Sequence, residues 1–440
     1  MTHNKKTTIE ILTKPIQQFL HQQASGGILL IICTIIALAW ANSSFAESYH
    51  HLWNTYLSIE AGGFALKYSL HHWINDGLMV IFFFVVGLEI KRELIAGELS
   101  TPKKAALPIA AALGGMIFPA LFYVIFNFDS EASSGWGIPM ATDIAFVVGI
   151  LALLGNKVPL ALKIFVLALA IVDDLGAVLV IAIFYTSEIS VNSLVIAGVL
   201  IVFLIILNRI GVRSLIIYSF IGVLLWLAFL KSGVHATIAG VLLAFTIPAS
   251  SRINTTKFSK DTQSLIKEFD NAGGHGENVL SNEERLSIVD RIENNCEKIL
   301  TPLQRFEHGL HPLVSFFIMP VFALANAGVS IGEGFGSAIS NPISLGIIFG
   351  LFLGKQFGIF SFSYIAIKIG LASKPQGVSW KKIYGAAILS GIGFTMSLFI
   401  ANLAFNNQEF LDIAKVGILS SSLISGIIGF IFLKSALKEN

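Results

Sequence analysis

Long apolar runs separated by short polar turns recur along the whole chain. About twelve such runs approach the roughly 20 residues a bilayer crossing requires. They centre near Ile35, Phe82, Ala112, Val147, Ile171, Val202, Leu224, Val241, Ile318, Gly354, Phe394 and Gly426. Continuous runs of this length predict transmembrane helices, not the weak alternating pattern of a barrel. The first run, Gly26 to Phe45, follows Lys5, Lys6 and Lys14 and contains Ala39-Trp40-Ala41. We read it as a retained first helix, with a cleaved leader as the alternative. The chain then divides into a cytoplasmic N-terminal segment (1–25), eight spans over 26–248, a cytoplasmic loop (249–306), and four spans with a cytoplasmic tail (307–440).

Two stretches outside the bilayer carry their own patterns. "LSIEAGGFALKYSL" alternates on either side of Gly62-Gly63, which predicts a two-residue β-hairpin near 57–70 on the outer face. A lone hairpin is marginal, so it either joins two copies of the chain or lies on its own protein's surface. In "SNEERLSIVDRIENNCEKIL", Ser281 and Glu284 have capping-box spacing, and Leu286, Val289, Ile292 and Cys296 follow at helical intervals. A short amphipathic helix is expected there. The preceding "NAGGHGEN" reads as linker, with His275 solvated.

Composition agrees with the pattern. The chain of 440 residues is 55% hydrophobic and 13% charged, where a soluble domain has about 25% charged residues. A net charge of +2 gives no reason to expect a nucleic-acid partner. The placement of Lys and Arg is more informative. They concentrate before Ile28, after Ile90, around Lys157, around Arg209 and Arg213, from Arg252 to Arg305, from Lys368 to Lys382, and after Leu433. The alternate turns hold only Lys67, Lys231 and Lys415, which places both termini in the cytoplasm. Cys33 in a span and Cys296 in a loop suggest no disulfide framework.

Against this apolar background a few polar residues stand out. Asp173 and Asp174 sit inside "LALAIVDDLGAVLVIAIFY", where each acid costs roughly 2.5–3.5 kcal/mol on insertion scales. Helix neighbours point about 100° apart, so the pair can line adjoining sides of one cavity. A membrane base is available in Lys355, beside a stripe of Gly346, Gly350, Gly354 and Gly358 that permits close helix approach. Two other spans carry breaks: Pro139 with Thr142-Asp143, and the cluster Gly391, Gly393, Thr395 and Ser397. Each broken span is second in a triplet of spans, and the two triplets start an odd number of spans apart, so they insert oppositely. Paired interrupted helices in inverted repeats point to a midplane transport site. Asp143 is then expected to neutralise helix N-terminal ends and Lys355 to offset C-terminal ends.

At these residues the chain resembles the NhaA-type sodium/proton antiporter family. The resemblance is carried by "INDGLMVIFFFVVGLEIKREL", "IPMATDIAFVVGIL", "ALAIVDDLGAV", "LKSGVHATIAGVL", "LHPLVSFFIMPVFALANAGVS" and "GIGFTMSLFIANLAF". It implies an all-α polytopic membrane protein with inverted repeats and two discontinuous helices. The implied activity is electrogenic export of Na+ (or Li+) in exchange for external H+, activated at alkaline pH, in a bacterial inner membrane. It implies a homodimer in the lipid bilayer, no cofactor, and no enzymatic activity. Residue by residue, it assigns the cation and proton site to Asp173 and Asp174, the break in the fourth span to Thr142 and Asp143, and the carboxylates' partner to Lys355. The only metal expected at Asp173 and Asp174 is the transported Na+.

Chemistry suits that assignment. Sodium favours hard oxygen ligands: carboxylates, the Thr142 hydroxyl, backbone carbonyls and water. Crowded, dehydrated carboxylates hold protons or a cation in turn, which ties the two ions to opposite directions. Glu89 and Glu93 share a helix face at i, i+4, either as a solvated end paired with Lys91 or Arg92 or as an acidic funnel that reports pH. Glu307, His308 and His311 in "FEHGLHP" admit a metal reading without His-Glu-x-x-His order, or a pH-responsive cluster. His235 is pH-responsive by the resemblance, or else a satisfied interfacial histidine. An intramembrane aspartyl protease would need two carboxylates meeting at one water, which adjacent residues on a helix do not supply. A channel or a sodium symporter satisfies the chemistry of the pair, but a channel needs no reorienting proton carriers and a symporter needs an organic-solute pocket to which no motif points.

Overall fold

The computed structural model describes residues 8–61, 64–186, 189–251, 253–272, 282–330 and 334–438. Every one of the twelve expected centres falls inside a helix. Among the described residues, seven helices are long and apolar enough to cross a membrane: Pro102–Asn127, Glu131–Leu153, Leu160–Phe184, Val191–Arg209, Pro302–Asn326, Pro342–Lys368 and Gln408–Ala436. Two bent pairs raise this to nine, Ser25–Ala41 with Ala46–Asn54 at 113° and Trp380–Leu389 with Phe394–Ala404 at 46°. The other three centres lie in Met79–Ala96, Leu215–Leu230 and Ile238–Thr246, of 18, 16 and 9 residues. Length alone therefore does not establish twelve spans. Helix one ends at Ala41, short of the Phe45 expected from the apolar run.

The helices pack as two apolar bodies. The larger gathers helix one, Pro102–Asn127, Leu160–Phe184, Trp380–Leu389 with Phe394–Ala404, and Gln408–Ala436. The smaller gathers Val191–Arg209, Leu215–Leu230 and Ile238–Thr246, and Met79–Ala96 lies between them, with Met79, Phe83 and Val85 in the larger and Phe84 and Leu88 in the smaller. The glycine stripe does what its spacing predicts: Gly346, Gly350, Gly354 and Gly358 all face Pro102–Asn127, against Tyr123, Pro119 and Gly114. A Cβ on Gly358 would overlap the Gly114 carbonyl, so these backbones touch. Gly358→Ala is expected to lower stability by about 1–3 kcal/mol, the usual cost of overpacking. Thermal unfolding in detergent measures this, and an unchanged midpoint would contradict the contact.

The two peripheral elements form, with corrections. Tyr56–Ala61 pairs antiparallel with Phe64–Ser69 in the register Ile59↔Leu66. The Gly62-Gly63 turn lies outside the described residues. Leu57 and Ile59 are exposed, while Leu66 is buried. In the cytoplasmic loop the expected helix spans Glu283–Ile299, but Asn282 caps it by accepting from the Arg285 N–H at 3.1 Å. Ser281 and His275 lie outside the described residues. The buried face is also different from the one expected: Leu286, Val289 and Cys296 are exposed, and Ile288 and Ile292 pack against Leu265, Phe269 and Ala272. The reason is a partner helix, Thr255–Asn271, that the periodicity did not announce.

Candidate functional site

Both interrupted spans break where the sequence is richest in Pro, Gly and Thr. Glu131–Met140 is a 3-10 helix containing Pro139. Ala141 and Asp143 are extended, and an α-helix then restarts at Ile144 and runs to Leu153. In the second, Trp380–Leu389 stops, residues 390–393 are irregular, and Phe394–Ala404 restarts. A broken helix frees N–H and C=O groups that lipid cannot satisfy. Here each break satisfies the other. The Asp143 N–H donates to the Ile392 carbonyl at 2.7 Å, and the Ser397 hydroxyl donates to the Ile138 carbonyl at 2.7 Å.

Asp143 serves both restarted helices. Its Oδ1 accepts from the Phe146 N–H at 3.2 Å, an N-cap of its own helix. Its Oδ2 accepts from the Thr395 N–H at 3.0 Å and from the Thr395 hydroxyl, at the start of the other helix. A single buried carboxylate thus meets two positive helix ends. Lys355 was expected to offset the opposing C-terminal ends. The Ile138, Ser390 and Ile392 carbonyls have donors from the other break, and Lys355 instead contacts Asp173 Oδ2. A π-helical turn, Gly350–Gly354, ends immediately before Lys355, and such an extra residue re-aims the side chains that follow it.

The two adjacent aspartates have different surroundings. Asp173 Oδ2 meets Lys355 Nζ and lies 2.7 Å from the Thr142 hydroxyl, which is also 2.9 Å from the Ser390 carbonyl. Lys355 is 0% exposed and Asp173 1%. Asp174, equally buried, lines a cavity of about 60 Å³ with Thr142, Asp143, Thr395, Glu89 and His311. Asp173 and Lys355 do not line that cavity, so the pair does not share one chamber as expected. The 100° divergence of helix neighbours explains this: one carboxylate turns to the base, the other to the open space. No described donor hydrogen-bonds to Oδ1 of either aspartate, so the difference between them lies in the partners of Asp173 Oδ2. The polar donor set along this cavity, carboxylates and hydroxyls, fits a hard cation.

At the far end of the cavity the acidic residues separate. Glu89 is buried and lines it. Glu93 turns aside, pairing with Arg92 at 3.1 Å and accepting from the Glu98 N–H at 2.9 Å. Arg92 also pairs with the buried Glu307, a link between residues 215 apart in sequence that nothing in the local pattern announces. His311 faces the cavity, whereas His308 is exposed, so Glu307, His308 and His311 do not converge as a metal site would require. Lys91 donates to the Phe245 and Ile247 carbonyls, ending the Ile238–Thr246 helix.

His235 belongs to a different neighbourhood. Its Nδ1 lies 3.1 Å from the Thr237 hydroxyl and 3.7 Å from Asp76 Oδ1, and its ring meets Phe399 edge-on at 5.7 Å. Asp76 also pairs with His72 at 3.2 Å. Sequence reasoning missed this Asp76 group, although its i, i+4 spacing to His72 was available as a signal.

Known proteins match this chain along nearly its entire length. The family model described as Na+/H+ antiporter 1 matches residues 17–433. A protein of Oleidesulfovibrio alaskensis, named Na(+)/H(+) antiporter NhaA, is 50% identical over 430 residues, 98% of this chain and 96% of that one. A similarly named protein of Saccharophagus degradans is 50% identical over 428 residues, covering 96% and 92%. A solved sodium proton antiporter, MjNhaP1 of Methanocaldococcus jannaschii, aligns over 94% and 92% of the two chains with a TM-score of 0.46 and 11% identity. With half its residues shared across almost its whole length, this multi-pass membrane chain belongs to the Na+/H+ antiporter 1 family.

Proposed function

We propose that the protein exports Na+, or Li+, from the cytoplasm in exchange for external H+, with Asp173 and Asp174 as the shared site for cation and proton. One observation carries the residue assignment: Asp174 faces the small cavity while Asp173 is held by buried Lys355. Sodium entering past Glu89 meets the Asp174 carboxylate and the Thr142 hydroxyl as oxygen ligands. As it binds, Asp174 gives up its proton. Asp173 joins the ligand set, and Lys355, no longer paired, loses a proton in turn. Two protons then leave for one sodium entering the site, so the cycle moves net charge and responds to the membrane potential. Scarce protons at alkaline pH favour the sodium-loaded site.

In this reading Asp143 keeps the two crossed breaks electrically balanced, so irregular backbone persists beside the ion. Glu89, Glu307 and His311 form the cytoplasmic approach, with Glu93 and His308 at its margin, and His235 responds to pH near Asp76. The twelve helical segments insert as inverted repeats in a bacterial inner membrane, both termini in the cytoplasm. The hairpin with exposed Leu57 and Ile59 joins two copies into a homodimer.

The experiment is direct. Inside-out vesicles carrying the protein are energised to acidify their lumen, and a pH-sensitive dye is followed as sodium or lithium is added. Sodium-dependent proton release, stronger at alkaline pH and faster when charge is compensated by valinomycin and K+, is expected. Proton movement indifferent to sodium would overturn the proposal.

A further inference from the structure

A second, larger opening lies on the membrane-facing side and takes no part in the ion site. It is a groove of about 530 Å³ between helix one, Ile144–Leu153 and Gln408–Ala436. Among the described residues its lining contains no charged side chain; Thr34, Ser420 and Ser422 are its polar members. Ile28, Ile31, Ile35, Leu153, Leu423 and Ile427 are exposed along it. From Gly27 to Leu38 it follows eleven steps of helix one, about 16 Å at 1.5 Å per residue. That is close to half of the roughly 30 Å hydrocarbon thickness, the depth of one leaflet. The floor is formed by Phe146, Ile392 and Phe394, which flank the two helix breaks. Ser422 on its wall accepts from the Phe394 N–H at 3.2 Å.

We infer that this groove is a binding site for one phospholipid acyl chain, which packs behind the two restarted helices. The inference rests on the membrane setting of the chain and is independent of the residue roles at the ion site. An uncharged, leaflet-deep groove open to hydrocarbon suits a neutral aliphatic chain. Small residues create the space. A Cβ at Gly149 would meet no atom within 4 Å, and one at Gly426 would make ordinary contacts of 3.6 and 3.7 Å with Ile150 and Ile392. Larger side chains at these positions can therefore fill the groove without displacing its walls.

The test compares wild type with Gly149→Leu and Gly426→Leu, each purified in detergent and supplied with palmitoyl-oleoyl phosphatidylethanolamine. Native mass spectrometry counts the lipids retained per protein copy, and thermal unfolding with gel filtration establishes that each variant is folded. Gly198→Leu is the control, since that position lies elsewhere on Val191–Arg209 and also has nothing within 4 Å. We expect each groove-filling variant to lose one tightly retained lipid per copy while Gly198→Leu loses none. Folded groove variants that retain the wild-type number of lipids would overturn the inference. So would conversion of dimer to monomer by these variants with unchanged lipid retention, which would assign the groove to a second copy.

Discussion

Asp174→Asn is expected to stop sodium-driven proton movement in proteoliposomes, by at least about 100-fold, or roughly 2.7 kcal/mol in ion-binding terms. The substitution keeps the side chain's volume and removes its ability to carry either ion. It strands no partner, because no described donor bonds to Asp174 Oδ1. Insertion and thermal stability are therefore expected to stay within about 1 kcal/mol of wild type. Residual exchange near the wild-type rate would show that Asp174 is not the ion carrier. Loss of exchange accompanied by loss of folded protein would contradict the free character of its carboxylate.

Asp173 behaves differently, because it belongs to a buried pair with Lys355. Removing one partner of such a pair typically costs about 3–5 kcal/mol, because the other charge is left buried and alone. Lys355→Met and Asp173→Asn are therefore each expected to lower thermal stability in detergent by about that much, while the double variant, which leaves no lone charge, is expected to recover part of the loss. Losses that simply add in the double variant would mean that the two groups do not form one ion pair.

The contrast between these aspartates separates two environments that the sequence places side by side. Asp173 sits where a hydroxyl, an ammonium and a broken-helix carbonyl meet. Asp174 sits where space remains. Exchange of two ions at one site needs both arrangements: a carboxylate free to receive, and a carboxylate whose present partner can be displaced. Asp143, with three donors from two helices, is too firmly engaged for either task and suits a fixed role.

Much of the architecture is local information. A run of apolar residues long enough for a bilayer declares a helix without reference to its neighbours, which is why every expected centre falls within one. An acid or lysine in such a run is conspicuous for the same reason, and so are Pro139, Thr142 and Asp143 at a break. The four-residue glycine stripe predicted a close helix contact because small side chains impose it whatever the partner. Directions were not legible. Spacing gives the angle between Asp173 and Asp174 but not the rotation of their helix, which packs against Pro102–Asn127, nor the aim of Lys355, which follows a π turn in another helix. The same limit separated His308 from His311 and hid the Arg92–Glu307 pair. It also misplaced the buried face of Glu283–Ile299, whose partner helix lies across a loop. Local chemistry determined which residues are costly in a membrane; tertiary packing decided what each faces, because a side chain's surroundings come from elements far away in the chain.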